Sequence, residues 1–167
     1  LEKILPNEQF IYLGDTAHVP FGNKSTNTII HYSNKIVNFF LKKHVKSIVI
    51  ACNTVSSVAY SILNEKYTVP FFDVVTPSVA FANQISINRK IGVIGTYATI
   101  NSKAYTKAFK DINSDCIIKE VSCPLLVPLI EEGWTNNAVS KNIAEIYLDS
   151  FINSKIDSLI LGCTHYP

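Results

Sequence analysis

The sequence contains no methionine, one tryptophan and only six glycines in 167 residues. Charged residues make up only 17% and the formal net charge is +2, so the chain lacks the clustered basic charge that is typical of nucleic-acid-binding domains. It also lacks an apolar run of membrane-spanning length and a signal-peptide pattern. We therefore expect a cytoplasmic protein that binds neither nucleic acid nor membranes.

The absence of methionine extends to position 1, and the chain ends at Pro167, directly after a motif. We therefore expect an internal fragment of a longer protein. Apolar residues make up 47% of the chain, which is enough to bury a core. In the reducing cytoplasm, the four cysteines are expected to be free thiols rather than disulfides.

Two short apolar runs each end at a cysteine that stands close to a threonine. The run 48–50 is followed by Cys52, Asn53 and Thr54, and the run 158–161 is followed by Cys163 and Thr164. Runs of this kind are typical of buried parallel strands, and ligands bind outside the carboxyl ends of such strands. We expect a helix to start after the first cysteine, at the serine pair 56–57.

Predicted strands and helices alternate along the whole chain, which indicates an α/β fold with mostly parallel sheets flanked by helices. We predict two similar lobes, 1–77 and 78–167, with the active site in the cleft between them. The predicted strands are 9–13, 48–50, 71–75, 90–95, 116–121 and 158–161. The predicted helices are 25–43, 56–66, 76–85, 101–112, 123–129 and 138–152.

The cysteines do not follow zinc-ligand spacing, so a metal site is not expected. Cys116 and Cys123 are interpreted as buried structural thiols, whereas Cys52 and Cys163 stand at strand ends among polar residues. Two thiols that face one cleft suit the inversion of a stereocentre, because one can remove a proton while the other delivers one to the opposite face. His165, judged by its position alone, fits a capping and a catalytic histidine equally.

Five stretches, in order, resemble the glutamate racemase family: 14–22, 51–54, 91–96 with Thr99, 123–133 and 162–167. The resemblance covers essentially the whole chain. It implies cofactor-independent interconversion of L- and D-glutamate, with D-glutamate supplied for bacterial peptidoglycan. It also implies a homodimer in the full-length protein.

The same resemblance assigns roles to individual residues. Cys52 and Cys163 would be the two catalytic acid/bases, His165 would assist Cys163, and either Glu131 or Glu132, with Glu131 the better match, would be the nearby carboxylate. The positions that would hold the substrate are Phe21, Gly22, Asn53, Thr54, Thr96, Thr99 and Thr164.

The chain also departs from the family pattern. His18 stands where the family usually has arginine, Phe21 where it has tyrosine, and the stretch 76–78 differs. The family's initial strand with its Asp-Ser-Gly loop, and its carboxyl-terminal region, have no counterpart, so we expect this chain alone to racemise glutamate poorly. The alternatives are another member of the superfamily, such as an aspartate or hydantoin racemase or a maleate isomerase, and an inactive fragment that acts as a binding module.

Overall fold

Seven α-helices and five strands alternate in the computed structural model, which describes residues 1–167. The strands are β1 (Ile48–Val49), β2 (Phe71–Phe72), β3 (Lys90–Gly95), β4 (Ile117–Ser122) and β5 (Ser158–Gly162). The helices are α1 (Thr26–Leu41), α2 (Asn53–Lys66), α3 (Val75–Ile85), α4 (Tyr97–Asn101), α5 (Ala104–Ile112), α6 (Leu126–Glu131) and α7 (Ala138–Ile152). A 3-10 turn covers Phe21–Asn23. The predicted α/β class is confirmed.

The larger sheet has the order β4-β3-β5 and is parallel throughout. Its central strand β3 is covered on both faces, as expected for a parallel sheet. Ile91 and Val93 belong to one core cluster together with residues of α3 and α5, whereas Ile94 belongs to a second cluster with Phe151 of α7. We call this sheet and its helices the second lobe.

The smaller sheet pairs β1 with β2 in parallel, with Ile48 opposite Phe71. Its buried residues form a separate core cluster with Val37 of α1 and Leu63 of α2. We call this sheet, with α1 and α2, the first lobe. The predicted boundary after residue 77 lies inside α3, whose apolar residues pack in the core of the second lobe.

The predicted strand 9–13 is wrong, because the structure has no strand there. Phe10 and Tyr12 belong to a short apolar run, but these two residues are 40% and 91% exposed. Without a neighbouring strand, the backbone of this segment has no ladder in which to pair its N–H and C=O groups. A short apolar run alone was therefore not enough to predict a strand.

Three other predicted boundaries are also corrected. Helix α2 begins at Asn53, not at the serine pair, because the Ser56 hydroxyl donates to the Ile50 carbonyl (3.0 Å) instead of capping a helix. The predicted strand 71–75 ends at Phe72, since Val75 already belongs to α3. The predicted helix 101–112 begins three residues later, at Ala104, because Lys103 adopts a left-handed conformation (φ 57°) that separates α5 from the preceding short helix α4.

Candidate active site

A cavity of about 290 Å³ lies where the first lobe meets the second. It opens at the carboxyl ends of β1 and β5, where the sequence placed its two cysteines. Ten of the predicted site residues line it: Phe21, Gly22, Cys52, Asn53, Thr54, Thr96, Glu131, Cys163, Thr164 and His165. Thr99 is the one predicted site residue that does not.

Cys52 is the N-cap residue of α2, and its side chain accepts no capping hydrogen bond. It is half-buried and has an extended backbone (φ −85°, ψ 122°). The first turn of an α-helix presents N–H groups that have no partner within the helix. The local fold therefore places Cys52 beside backbone donors at the start of α2.

Cys163 follows β5 directly and is buried. Burial is the main cause that raises the pKa of its thiol, the backbone N–H of His165 opposes that shift, and negative charge on Cys52 adds to it. The two thiols therefore lie close enough for a charge on Cys52 to act on Cys163.

His165 connects Cys163 to a carboxylate. Its Nδ1 lies 3.6 Å from the Cys163 sulfur, and its Nε2 lies 2.5 Å from Oε1 of Glu131, at the end of α6. Glu132 lines the cavity but forms no hydrogen bond with this histidine. The sequence left open which of the two glutamates is the carboxylate of the site, and Glu131 is the one that contacts His165.

Three threonine hydroxyls form a buried triangle beneath the cavity. Thr54 Oγ1 lies 3.0 Å from Thr96 Oγ1 and 3.3 Å from Thr99 Oγ1, and the last two are 3.0 Å apart. Thr54 belongs to the first lobe and the other two belong to the second. Thr99 is fully buried and does not line the cavity, and its hydroxyl is linked to the cavity through Thr54 and Thr96.

Gly22 lets the turn Phe21–Asn23 approach the second lobe closely. A Cβ atom at this position would lie 2.3 Å from Cβ and 2.5 Å from Cγ2 of Thr96. These distances are well inside van der Waals contact, so only glycine fits without a shift of the backbone or of Thr96. The wall of the cavity therefore depends on a residue with no side chain.

Sequence reasoning missed one residue that contacts the site from the core behind it. Tyr105 was interpreted only as an apolar position of an amphipathic helix, yet its hydroxyl donates to Asn53 Oδ1 at 2.5 Å. A tyrosine at a core position needs a partner for its hydroxyl, and this was the signal available in the sequence. His18, interpreted as a loop or surface residue, contacts the Asp15 carboxylate (2.7 Å) and stacks on Tyr32.

The structure contains no group of three or more His, Cys, Asp or Glu side chains arranged to hold a metal ion. None of its helices has both the length and the apolar character needed to cross a bilayer. The polar groups of the cavity are instead thiols, hydroxyls, amides, an imidazole and carboxylates. Such groups can bind a small polar molecule and move its protons.

A family model described as Asp/Glu/Hydantoin racemase matches residues 4–167. The chain is 49% identical over 163 residues to a glutamate racemase of Sulfurihydrogenibium sp., covering 97% of this chain and 63% of that protein. The crystal structure of the Francisella tularensis glutamate racemase in complex with D-glutamate is similar, with a TM-score of 0.92 and 41% identity over 99% of this chain and 62% of that one. The Aquifex pyrophilus glutamate racemase has a TM-score of 0.86 and 43% identity, over 99% of this chain and 65% of its own. The chain thus spans less than two thirds of the length of these relatives.

Proposed function

The chain belongs to the Asp/Glu/Hydantoin racemase family, and from that premise we propose that its cavity carries the two-thiol site of a glutamate racemase. The observation that carries the proposal is the convergence of Cys52 and Cys163, from different lobes, on one cavity. The relatives at 41–49% identity are glutamate racemases, and one of them binds D-glutamate. These relatives support glutamate, rather than aspartate or a hydantoin, as the substrate.

In the proposed reaction, a thiolate removes the α-proton of glutamate while a thiol on the opposite side supplies one. At the first sulfur an S–H bond forms as the C–H bond breaks, and at the second an S–H bond breaks as the new C–H bond forms. Protons and charge balance, and the two thiols exchange their roles for the reverse direction. No cofactor is required by this scheme.

The contacts of His165 support a role for it beside Cys163. If Nε2 carries the ring proton and donates a hydrogen bond to Glu131, the opposite ring nitrogen Nδ1 carries a free lone pair beside the Cys163 thiol. That nitrogen can receive the thiol proton and return it. Glu131 fixes the orientation of the ring and stabilises the imidazolium while it is charged.

The rest of the cavity supports the binding of an amino acid with two carboxylates. Thr54, Thr96, Thr164 and Asn53 place hydroxyl and amide groups on its surface, and Phe21 and Gly22 supply part of its wall. The first turn of α2 adds N–H donors beside Cys52. We propose a cytoplasmic enzyme, a homodimer when full length, whose D-glutamate serves peptidoglycan synthesis.

The proposal is tested with a chimera in which this chain replaces the matching segment of the Aquifex pyrophilus racemase. Cys52→Ser and Cys163→Ser should each lower racemisation of L- and D-glutamate by at least about 100-fold, since each removes one acid/base group. Cys116→Ser is the matched control, because Cys116 lies outside the cavity. Circular dichroism with L-glutamate, D-glutamate, aspartate and a hydantoin measures rate and substrate class together.

Racemisation in both directions by either cysteine variant would refute the two-thiol scheme. Faster turnover of aspartate or of the hydantoin would assign another substrate within the family. The isolated 167-residue chain is measured in parallel and should show little turnover. Near-normal turnover by that chain would show that the expectation from the family comparison was wrong.

A further inference from the structure

We propose that Tyr105 is a positioning residue, which holds the side-chain amide of Asn53 so that its NH2 group faces the cavity and binds a carboxylate of the substrate. This inference rests on the proposed function. It concerns a residue of the second lobe that acts on a residue of the first.

The geometry begins with the tyrosine. Its ring is fully buried in the core cluster of the second lobe, where it packs with residues such as Ile91 and Phe109. Its hydroxyl reaches across to the first lobe and donates to Oδ1 of Asn53 at 2.5 Å. The ring is therefore fixed by packing, and the hydroxyl is delivered to one place.

Asn53 is the first residue of α2, next to Cys52, and it lines the cavity. A side-chain amide carries one acceptor oxygen and an NH2 group with two donor protons. The hydroxyl of Tyr105 occupies the oxygen. The NH2 group forms no hydrogen bond within the protein. Ser57 Oγ is the only side-chain nitrogen or oxygen atom that is both fully buried and unpaired, so this NH2 group is not fully buried. It is therefore reachable from the cavity.

The opposite orientation of the amide is disfavoured. It would turn the amide oxygen toward an anionic substrate, so that an acceptor would face a carboxylate. It would also require the Tyr105 hydroxyl to accept from the NH2 group, and the hydrogen bond that this hydroxyl donates to Oδ1 would be lost. As a donor to Oδ1, the tyrosine therefore favours the orientation that an acidic ligand needs.

Tyr105 remains a donor at every working pH. Burial is the main cause that raises the pKa of its hydroxyl, and the negative charges of Asp73 and Cys163 raise it further, against a smaller opposing contact from Ser78. A protonated phenol can donate to Oδ1 and an ionised one cannot. The orientation of Asn53 is thus independent of the protonation changes that the thiols undergo.

The test is Tyr105→Phe in the chimera with the Aquifex pyrophilus racemase, with Tyr147→Phe as the matched control. The control removes a tyrosine hydroxyl that accepts from the Leu125 amide and has no contact with Asn53. Binding of L- and D-glutamate is measured by calorimetry, and the side-chain carbonyl 13C signal of Asn53 is followed by NMR without ligand. Thermal unfolding reports any loss of packing.

We expect Tyr105→Phe to weaken glutamate binding about 2- to 10-fold, the effect of one lost hydrogen bond, and to move the Asn53 carbonyl signal. Tyr147→Phe should change neither. In an Asn53→Ala background, Tyr105→Phe should change glutamate affinity by less than about 2-fold, because Tyr105 acts through Asn53. A merely structural tyrosine would weaken binding equally in both backgrounds.

The outcomes separate the two proposals. Glutamate binding that Tyr105→Phe leaves unchanged, or an unmoved Asn53 signal, refutes the positioning role and leaves the proposed function standing. A chimera without these substitutions that binds no glutamate refutes the carboxylate contact and counts against the proposed function. Equal loss of affinity with and without Asn53 also overturns the positioning role.

Discussion

Replacing Gly22 with alanine should destabilise the protein and distort the cavity, although it adds a single methyl group. The new Cβ would stand 2.3 Å from Cβ and 2.8 Å from Oγ1 of Thr96. Rotation of the Thr96 side chain does not move the Cβ atom of Thr96, so it cannot relieve the contact with that atom. The backbone of the turn Phe21–Asn23 or of the start of α4 has to move instead.

The magnitude follows from the cost of overpacking. Inserting one methyl group into a packed contact typically costs about 1–3 kcal/mol. For a chain of this length each kcal/mol lowers Tm by about 2–4 °C, so Gly22→Ala should lower Tm by about 2–12 °C. The displacement of Thr96 also strains its hydrogen bonds with Thr54 and Thr99, which adds to the loss.

Gly14→Ala is the matched control, because its Cβ would meet only the side chain of Tyr12, which is 91% exposed and free to move. Thermal unfolding by circular dichroism and glutamate binding by calorimetry are measured for both variants. Gly22→Ala should lose both stability and affinity, whereas Gly14→Ala should lose neither. Equal Tm and equal affinity in the two variants would refute the close approach on which this reasoning depends.

Two further predictions concern the thiols. Burial raises the pKa of Cys163, so its alkylation by iodoacetamide should be slow near pH 7. The alkylation rate should increase as the pH rises above the range in which ordinary thiols ionise. A rate that is already maximal at pH 8 would contradict this prediction. Burial raises the pKa of Cys123 from 9.0 to about 11, so its contribution to stability is complete below about pH 9 and is lost as the pH rises toward 11. Cys123→Ala should remove about 2–3 kcal/mol of that alkaline loss in urea unfolding, and identical pH profiles for variant and wild type would count against it.

Much of the fold could be predicted from the sequence because local signals and tertiary structure agree. Ser25 was expected to cap α1, and its hydroxyl accepts the Thr28 amide N–H. The apolar run at Lys90–Gly95 was expected to be a buried strand and is the central strand of the larger sheet. In each case a few neighbouring residues determine the structure.

The errors arose where contacts outside the local sequence pattern determine the structure. Ser56 is a good helix cap by type, but its hydroxyl contacts a carbonyl six residues earlier, at Ile50. The segment 9–13 has the composition of a strand but no partner strand. A strand exists only in a sheet, so its own sequence is not enough to establish it.

Part of the candidate site was predictable, because residues that follow parallel strands lie together at one edge of the sheet. The two cysteines line one cavity, as their positions after strands suggested, and His165 and Glu131 line it too, as the family resemblance implied. The partner of Tyr105 was not predictable, because helical periodicity identifies a buried position but not what a hydroxyl there will contact. The choice between the two glutamates likewise required the distance to the imidazole ring.

The unequal surroundings of the two sulfur atoms have a consequence for kinetics. Cys163 lies beside an imidazole–carboxylate pair, whereas the side chain of Cys52 depends on the start of a helix. Mirror-image amino acids have identical free energies in solution, so the ratio of kcat/KM between the forward and reverse directions must equal one. In the proposed racemisation, any difference in kcat between the two directions must therefore be matched by an equal difference in KM, and the enantiomer with the higher kcat must have the higher KM.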